Sequence, residues 1–370
     1  MKKNLIALAI LAATGSAAMA QSSVTLFGVA DAAVKYGNGT AAKLTTLGSG
    51  GNATSRIGFR GVEDLGDGLQ AGFWLEGGLA MNSGSGQATN TNNQASGATT
   101  AGGLTFNRRA TVSVMSAGAG ELRLGRDLAV TYRSVSDFDP FGDVGVGNNL
   151  MDSAISLSSI TRGVRVSNTV NYFTPANLGG FYGQAQYYFG GNASDVAATA
   201  TTAAIGKKDG SGGGLRLGFA QGPLNVAASY GATNFLATGN QSTTNVAASY
   251  DLGVVKLLAI YNEDRVKATA ARVQLKGQSY LVGLTAPAGP GEIRATYGSY
   301  KRKENLAAGD KQADKFAVGY VYNLSKRTAI YPPVALLKNK NGAGQVLNGS
   351  LLSNANDRSS GFDIGLRHSF

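Results

Sequence analysis

The sequence predicts an all-β chain that closes into a transmembrane antiparallel β-barrel of sixteen strands, with the third external loop folded into the lumen. Three observations carry this expectation: an export leader with no second long apolar run, alternation of apolar and polar residues along the chain, and a regular exchange of short turns with long loops.

Residues 1–20, MKKNLIALAILAATGSAAMA, combine Lys2 and Lys3, an apolar run over 5–13 and a small-residue end at Ala18-Met19-Ala20. These are the three parts of a secretory signal peptide. The run falls short of the roughly 20 residues a spanning helix needs, so 1–20 reads as a leader and 21–370 as one exported domain. Loss of the two lysines lowers the formal charge from +11 to +9. No linker divides the chain, in which proline is scarce and glycine abundant. An exported chain that enters a membrane without apolar helices must pair its backbone groups between strands, and a closed barrel does so. With no cysteine there is no disulfide and no thiolate metal site.

Alternation of period two marks strands. Over 24–36 the even positions are Val24, Leu26, Gly28, Ala30, Ala32, Val34 and Tyr36, opposite Thr25, Asp31 and Lys35. Ile57 and Phe59 oppose Arg56 and Arg60, and Val112 and Val114 oppose Arg109, Thr111 and Ser113. Phe73 and Leu75 oppose Glu76, which puts Trp74 on the polar face. Leu215 and Leu217 oppose Arg216, and the final segment sets Phe362, Ile364, Leu366, His368 and Phe370 opposite Asp363 and Arg367. A soluble sandwich also alternates, but here the polar face carries arginine repeatedly and the apolar face ends in aromatics. Two segments fit poorly: 254–261, VVKLLAIY, is apolar on both faces, and 328–338 contains Pro332 and Pro333, which belong at a bulge or an edge.

Short connections fall near 63–68, 117–120, 174–179, 220–223, 251–253, 287–291 and 323–327. Long polar ones fall near 37–51, 81–102, 128–163, 190–213, 232–243, 264–272, 301–312 and 340–357. Seven short and eight long connections in strict alternation join sixteen strands, the layout of outer-membrane barrels with long loops outside. The third long connection carries Asp137, Asp139 and Asp143 among Phe, Pro and Gly, with arginines at both ends. A loop of that length is functional or disordered, and its acids between arginines suit a segment that folds inward and narrows a pore.

Several stretches now carry a resemblance: SSVTLFGVADAAVKY, SRIGFRGVEDLGDGLQAGFWLE, FNRRATVSV with ELRLGRD, DFDPFGD, NTVNYFTPANLGGFYGQAQY and GLRHSF. In these the chain resembles the general, trimeric porins of Gram-negative bacteria, in particular the beta-proteobacterial kind. The resemblance implies a homotrimer in the outer membrane, each barrel with its own water-filled channel narrowed by the third loop, passing small hydrophilic solutes and ions without a cofactor. The family's constriction pairs basic wall residues with loop acids. Matching positions are Arg56, Arg126 and Arg165, and Arg109 joins them by face parity. Arg60, Arg123 and Arg162 are further lumen candidates. Arg126 shares the parity of Leu122 and Leu124, so its inward placement needs a register break. The loop reads Asp139-Pro140-Phe141-Gly142 where some relatives have Pro-Glu-Phe-Gly, which leaves Asp137, Asp139 and Asp143 all candidates to face the arginines.

Arginine stays charged at any working pH, and charged walls set ion preference, so the excess of basic residues is expected to favour anions. Alternatives are a surface-binding barrel or a substrate-specific channel. Nucleic-acid binding is disfavoured because the arginines are spread singly along strands. Enzymatic chemistry lacks support, since the single histidine, His368, lies on the outward face and no metal or phosphate-binding spacing occurs. Expected partners are outer-membrane lipid and lipopolysaccharide. Phe370 looks like the terminal signal read by the barrel-assembly machinery.

Overall fold

A computed structural model describes residues 23–100, 102–151, 163–199, 204–269, 274–304 and 310–370. The expected leader and Arg162 lie outside the described residues. The chain forms one closed antiparallel sheet. The first strand, Ser23–Asn38, pairs with the last, Arg358–Ser369, from Val29 opposite Ser369 to Asn38 opposite Ser360. Phe370 completes the seam: its N–H donates to the Gly28 carbonyl and its carbonyl accepts from the Gly28 N–H.

Eighteen hydrogen-bonded segments make sixteen barrel strands, because two strands are each broken in the middle. Lys43–Ser49 and Arg56–Gly66 both pair with the first strand, on either side of an excursion over 50–55. Thr328–Tyr331 and Val334–Lys340 both pair with the last strand, on either side of Pro332 and Pro333. The proline pair behaves as its missing N–H groups require. The first long loop is shorter than its polar composition suggests. It spans only 39–42, because Lys43–Ser49, with β-branched Thr45 and Thr46, extends the hairpin. Asp31 ties the two breaks together. Its carboxylate accepts from the N–H groups of Gly51, Asn52 and Ala53 and from the Tyr331 hydroxyl.

The wall is inverted relative to a soluble protein. Outward residues are apolar and exposed, such as Leu26, Leu217 and Leu336 at 53, 57 and 62%. Inward residues such as Asn171, Asn245 and Asn262 are fully buried. Outward aromatics pair across strands, as in Phe181 with Phe219 and Tyr280 with Tyr297, and supply the interfacial rings such barrels carry.

The doubly apolar segment now has a cause. In Lys256–Val266, Leu257 and Tyr261 face outward, while Ile260 is buried inside with Ala227, Ala247 and Leu281 against Val135, Phe138 and Met151 of the third long loop. Its inner face is a bed for that loop rather than a wetted wall.

Candidate channel constriction

The third loop opens with a helix, Val130–Phe138. Val130, Ser134, Val135 and Phe138 are buried on one side, at the spacing of a helical stripe. Arg133 and Asp137, one turn apart, lie off that stripe. The helix packs along strands Phe181–Tyr188, Gly212–Gln221, Leu224–Thr233, Gln241–Asp251 and Lys256–Val266. Its amino end is held by Gln186, whose Oε1 accepts the Val130 N–H at 3.0 Å. Asp137 Oδ2 accepts from Arg216 Nη2 at 2.8 Å, and Arg133 Nε donates to Gln184 Oε1 at 3.0 Å.

The loop then crosses the lumen wall. A Cβ on Gly283 would stand 2.7 Å from Pro140 Cγ, and one on Gly319 3.3 Å from the Phe141 ring, so these wall glycines leave room for the chain. The Asp139-Pro-Phe-Gly stretch is a tight turn, with the Gly142 N–H donating to the Asp139 carbonyl. Farther on, the Val146 N–H donates to Asp363 Oδ2 at 2.7 Å, and Lys315 Nζ donates to the Asn148 carbonyl at 2.6 Å. The far half packs Phe141, Val146 and Leu150 against Tyr300, Ala313, Ala317, Ala335 and Leu337.

The opposite wall is rich in guanidinium groups. Arg108 Nε lies 2.5 Å from Glu76 Oε1, with Arg56 Nε at 3.8 Å from the same oxygen. Trp74 faces inward, as parity requires, and donates to Glu76 Oε2 at 3.1 Å. The guanidinium carbons of Arg60 and Arg109 lie 5.1 and 4.5 Å from its ring centre, within cation–π range. Arg123 grips Glu121 through two nitrogens at 2.8 and 2.7 Å, donates to Asp127 Oδ2 at 2.5 Å and lies over Phe173. Arg165 stands within electrostatic reach of Arg108 and Glu76, and its buried Nε has no hydrogen-bond partner among the described residues.

The predicted residues therefore separate. Arg56, Arg60, Arg109 and Arg123 share the lumen wall, while Arg165 pairs with Leu128 at the long-loop end of its strand, beside Arg126, within electrostatic reach of that wall. Arg126 does not join them. The register shift falls between Gly125 and Asp127 and leaves Arg126 with the outward parity of its neighbours. Its guanidinium is spent on the carbonyls of Asn107 and Asn90 and on Ser167 Oγ, fastening the second long loop. Of the loop acids, Asp137 meets a wall arginine. Asp139, 5% exposed, folds back on its own loop, accepting the N–H groups of Phe141 and Asp143 and the Asn149 amide. Burial holds its carboxyl above the ordinary aspartate range, opposed by those donors and Lys315. Asp143 accepts from Tyr132 and Asn149.

Two participants escaped sequence reasoning. Arg216 was legible by parity with Leu215 and Leu217, yet nothing local tied it to the loop. Arg108 precedes the alternating run and reaches Glu76 only through the turn of chain before Arg109. With Arg108 counted, this wall sets Arg56, Arg60, Arg108, Arg109 and Arg123 against Glu76, Glu121 and Asp127, five guanidinium groups to three carboxylates. Such a lining, behind a low-dielectric wall, concentrates anions.

A family model described as Gram-negative porin matches residues 7–342. The chain is 38% identical over 379 residues to outer membrane porin protein 32 of Delftia acidovorans, with all of both chains covered. It is 30% identical over 428 residues to an outer membrane porin protein of Bordetella pertussis, again with both fully covered. Among solved structures it is similar to an anion-selective porin from Comamonas acidovorans, with TM-score 0.79 and 34% identity, covering 95% of this chain and 100% of that one.

Proposed function

The chain belongs to the Gram-negative porin family, and from that premise we propose that its channel passes small hydrophilic solutes by passive diffusion and prefers anions. The protein is an outer-membrane β-barrel of sixteen strands. One observation carries the preference: the wall facing the third loop holds five guanidinium groups against three carboxylates, while Asp139 and Asp143 are turned into the loop. The likeness to an anion-selective porin supports it.

The mechanism is electrostatic. An anion entering the narrows trades part of its hydration for fixed guanidinium groups, and cations meet the same field as a barrier. Arg123, neutralised on both sides, contributes chiefly to holding the wall. Arg56, Arg109 and Arg165 are left with charge to spare, and they carry the selectivity.

The reading extends to assembly. Residues 1–20 direct export and are removed, Phe370 presents the terminal signal to the barrel-assembly machinery, three barrels associate, and the outer wall contacts lipopolysaccharide. Reconstitution of purified protein in planar bilayers tests the channel itself. Stepwise conductance increments in groups of three are expected. Failure to conduct would overturn the channel, and single increments would overturn only the trimer.

A further inference from the structure

At the long-loop end of the outer wall, two cations face each other across a strand pair. Lys338 stands directly opposite Arg358 in the antiparallel register. Both are exposed and neither has an ion-pair partner among the described residues. Like charges in that position destabilise a sheet, so the arrangement calls for an anion from outside the chain. The carboxylates nearby are engaged. Asp314, opposite Lys338 on its other side, lies 2.5 Å from Lys340 Nζ, and Asp357 binds the Thr40 hydroxyl and the Asn354 N–H.

Below the two cations lies an apolar shelf. Tyr297, Phe316 and Leu336 are direct cross-strand neighbours, exposed to 39, 49 and 62%. Shelf and cations line one groove of about 750 Å³, which Lys43 closes from the first hairpin. Apolar groups toward the bilayer centre and cations at its outer edge match the two ends of an acidic lipid.

We propose that this groove binds one phosphorylated glycolipid of the outer leaflet, with an acyl chain on Tyr297, Phe316 and Leu336 and a phosphate between Lys338 and Arg358. The proposal rests on the reading that anionic outer-leaflet lipid contacts the wall, and it assigns that contact a place. The phosphate supplies the missing countercharge, Lys43 reaches the same headgroup from the side, and the acyl chain covers the shelf.

The test is native mass spectrometry of the full chain in neutral detergent, titrated with bisphosphorylated lipid A or with the same lipid stripped of phosphate. Wild type is expected to retain the bisphosphorylated lipid and to bind the stripped form at least about tenfold more weakly. The Lys338→Glu/Arg358→Glu double variant should lose the bisphosphorylated lipid by a similar factor. The Lys207→Glu/Lys208→Glu variant makes the same change of charge on a distant loop and should keep it. Unchanged conductance reports that each variant is folded, and Lys338→Gln/Arg358→Gln serves if the charge reversal does not fold. Equal losses in the two double variants, or equal binding of the stripped lipid, would overturn the site. Binding that survives in Lys338→Glu/Arg358→Glu would overturn the site and leave general lipid contact standing. A wild type that binds no bisphosphorylated lipid would overturn both.

Discussion

Arg216 Nη2 donates to Asp137 Oδ2 at 2.8 Å, joining a wall strand to the loop helix across a contact that is buried on the arginine side and half-exposed on the aspartate side. Its two effects separate by magnitude. An asparagine at 137 would still offer Arg216 a side-chain oxygen to donate to, so the loss of charge there costs only about 1 kcal/mol. The same carboxylate subtracts from a positive lumen. Asp137→Asn is therefore expected to leave thermal unfolding in detergent nearly unchanged while raising the chloride-over-potassium permeability ratio. A large fall in melting temperature with no change in ratio would show that the pair is structural only.

Arg109 and Arg123 carry the same charge to different ends. Arg109 donates to Thr111 Oγ1 and lies over Trp74, whereas Arg123 is the shared partner of Glu121 and Asp127. Arg109→Gln should lower anion preference with little loss of stability. Arg123→Gln leaves Asp127, 2% exposed, with the Leu128 N–H and, as its remaining ion-pair partner among the described residues, Arg133 at 3.6 Å, and should destabilise the barrel by about 3 kcal/mol. Comparing the two variants by thermal unfolding and reversal potential decides whether the wall divides into support and selector.

Gly283 is predicted to be intolerant of side chains because the loop passes over it. Gly283→Val would push Pro140, whose Cγ already lies 2.7 Å from the Cβ position, and the backbone carbonyl of Ala295 at 2.8 Å leaves no retreat. Single-channel conductance should shift and become heterogeneous as the loop loses its seat. A conductance identical to wild type would mean that the loop does not set the narrows.

Asp139 gives a pH dependence of defined sign. Its folded pKa is raised, chiefly by burial. A raised carboxyl favours the folded state below the unfolded pKa, and that increment is lost as pH rises through the folded pKa. Stability of wild type relative to Asp139→Asn should therefore be greatest in acid and decline toward neutrality. Melting temperatures of both proteins across that interval check it, and a gap that widens with pH would reverse the assignment.

The barrel was legible because lipid outside and water inside impose opposite chemistry on alternate residues, so Leu215, Arg216 and Leu217 declare their faces locally. The loop's bed was not. Ile260 looks like an error of pattern until Val135 and Phe138 are seen to occupy the lumen beside it. The break at 50–55 is set by Asp31, twenty or so residues earlier, and no local signal marks it. The loop acids were indistinguishable in sequence because their roles depend on a fold-back through Asn149 that spacing alone does not reveal.

The central claim is that the guanidinium wall makes the channel anion-selective, and the reversal potential across a steep potassium chloride gradient tests it most directly. Wild type should give the sign of chloride preference, and Arg56→Gln/Arg109→Gln/Arg165→Gln should move it toward zero. A wild-type potential of the opposite sign, or one that the triple variant leaves unchanged, would contradict the account.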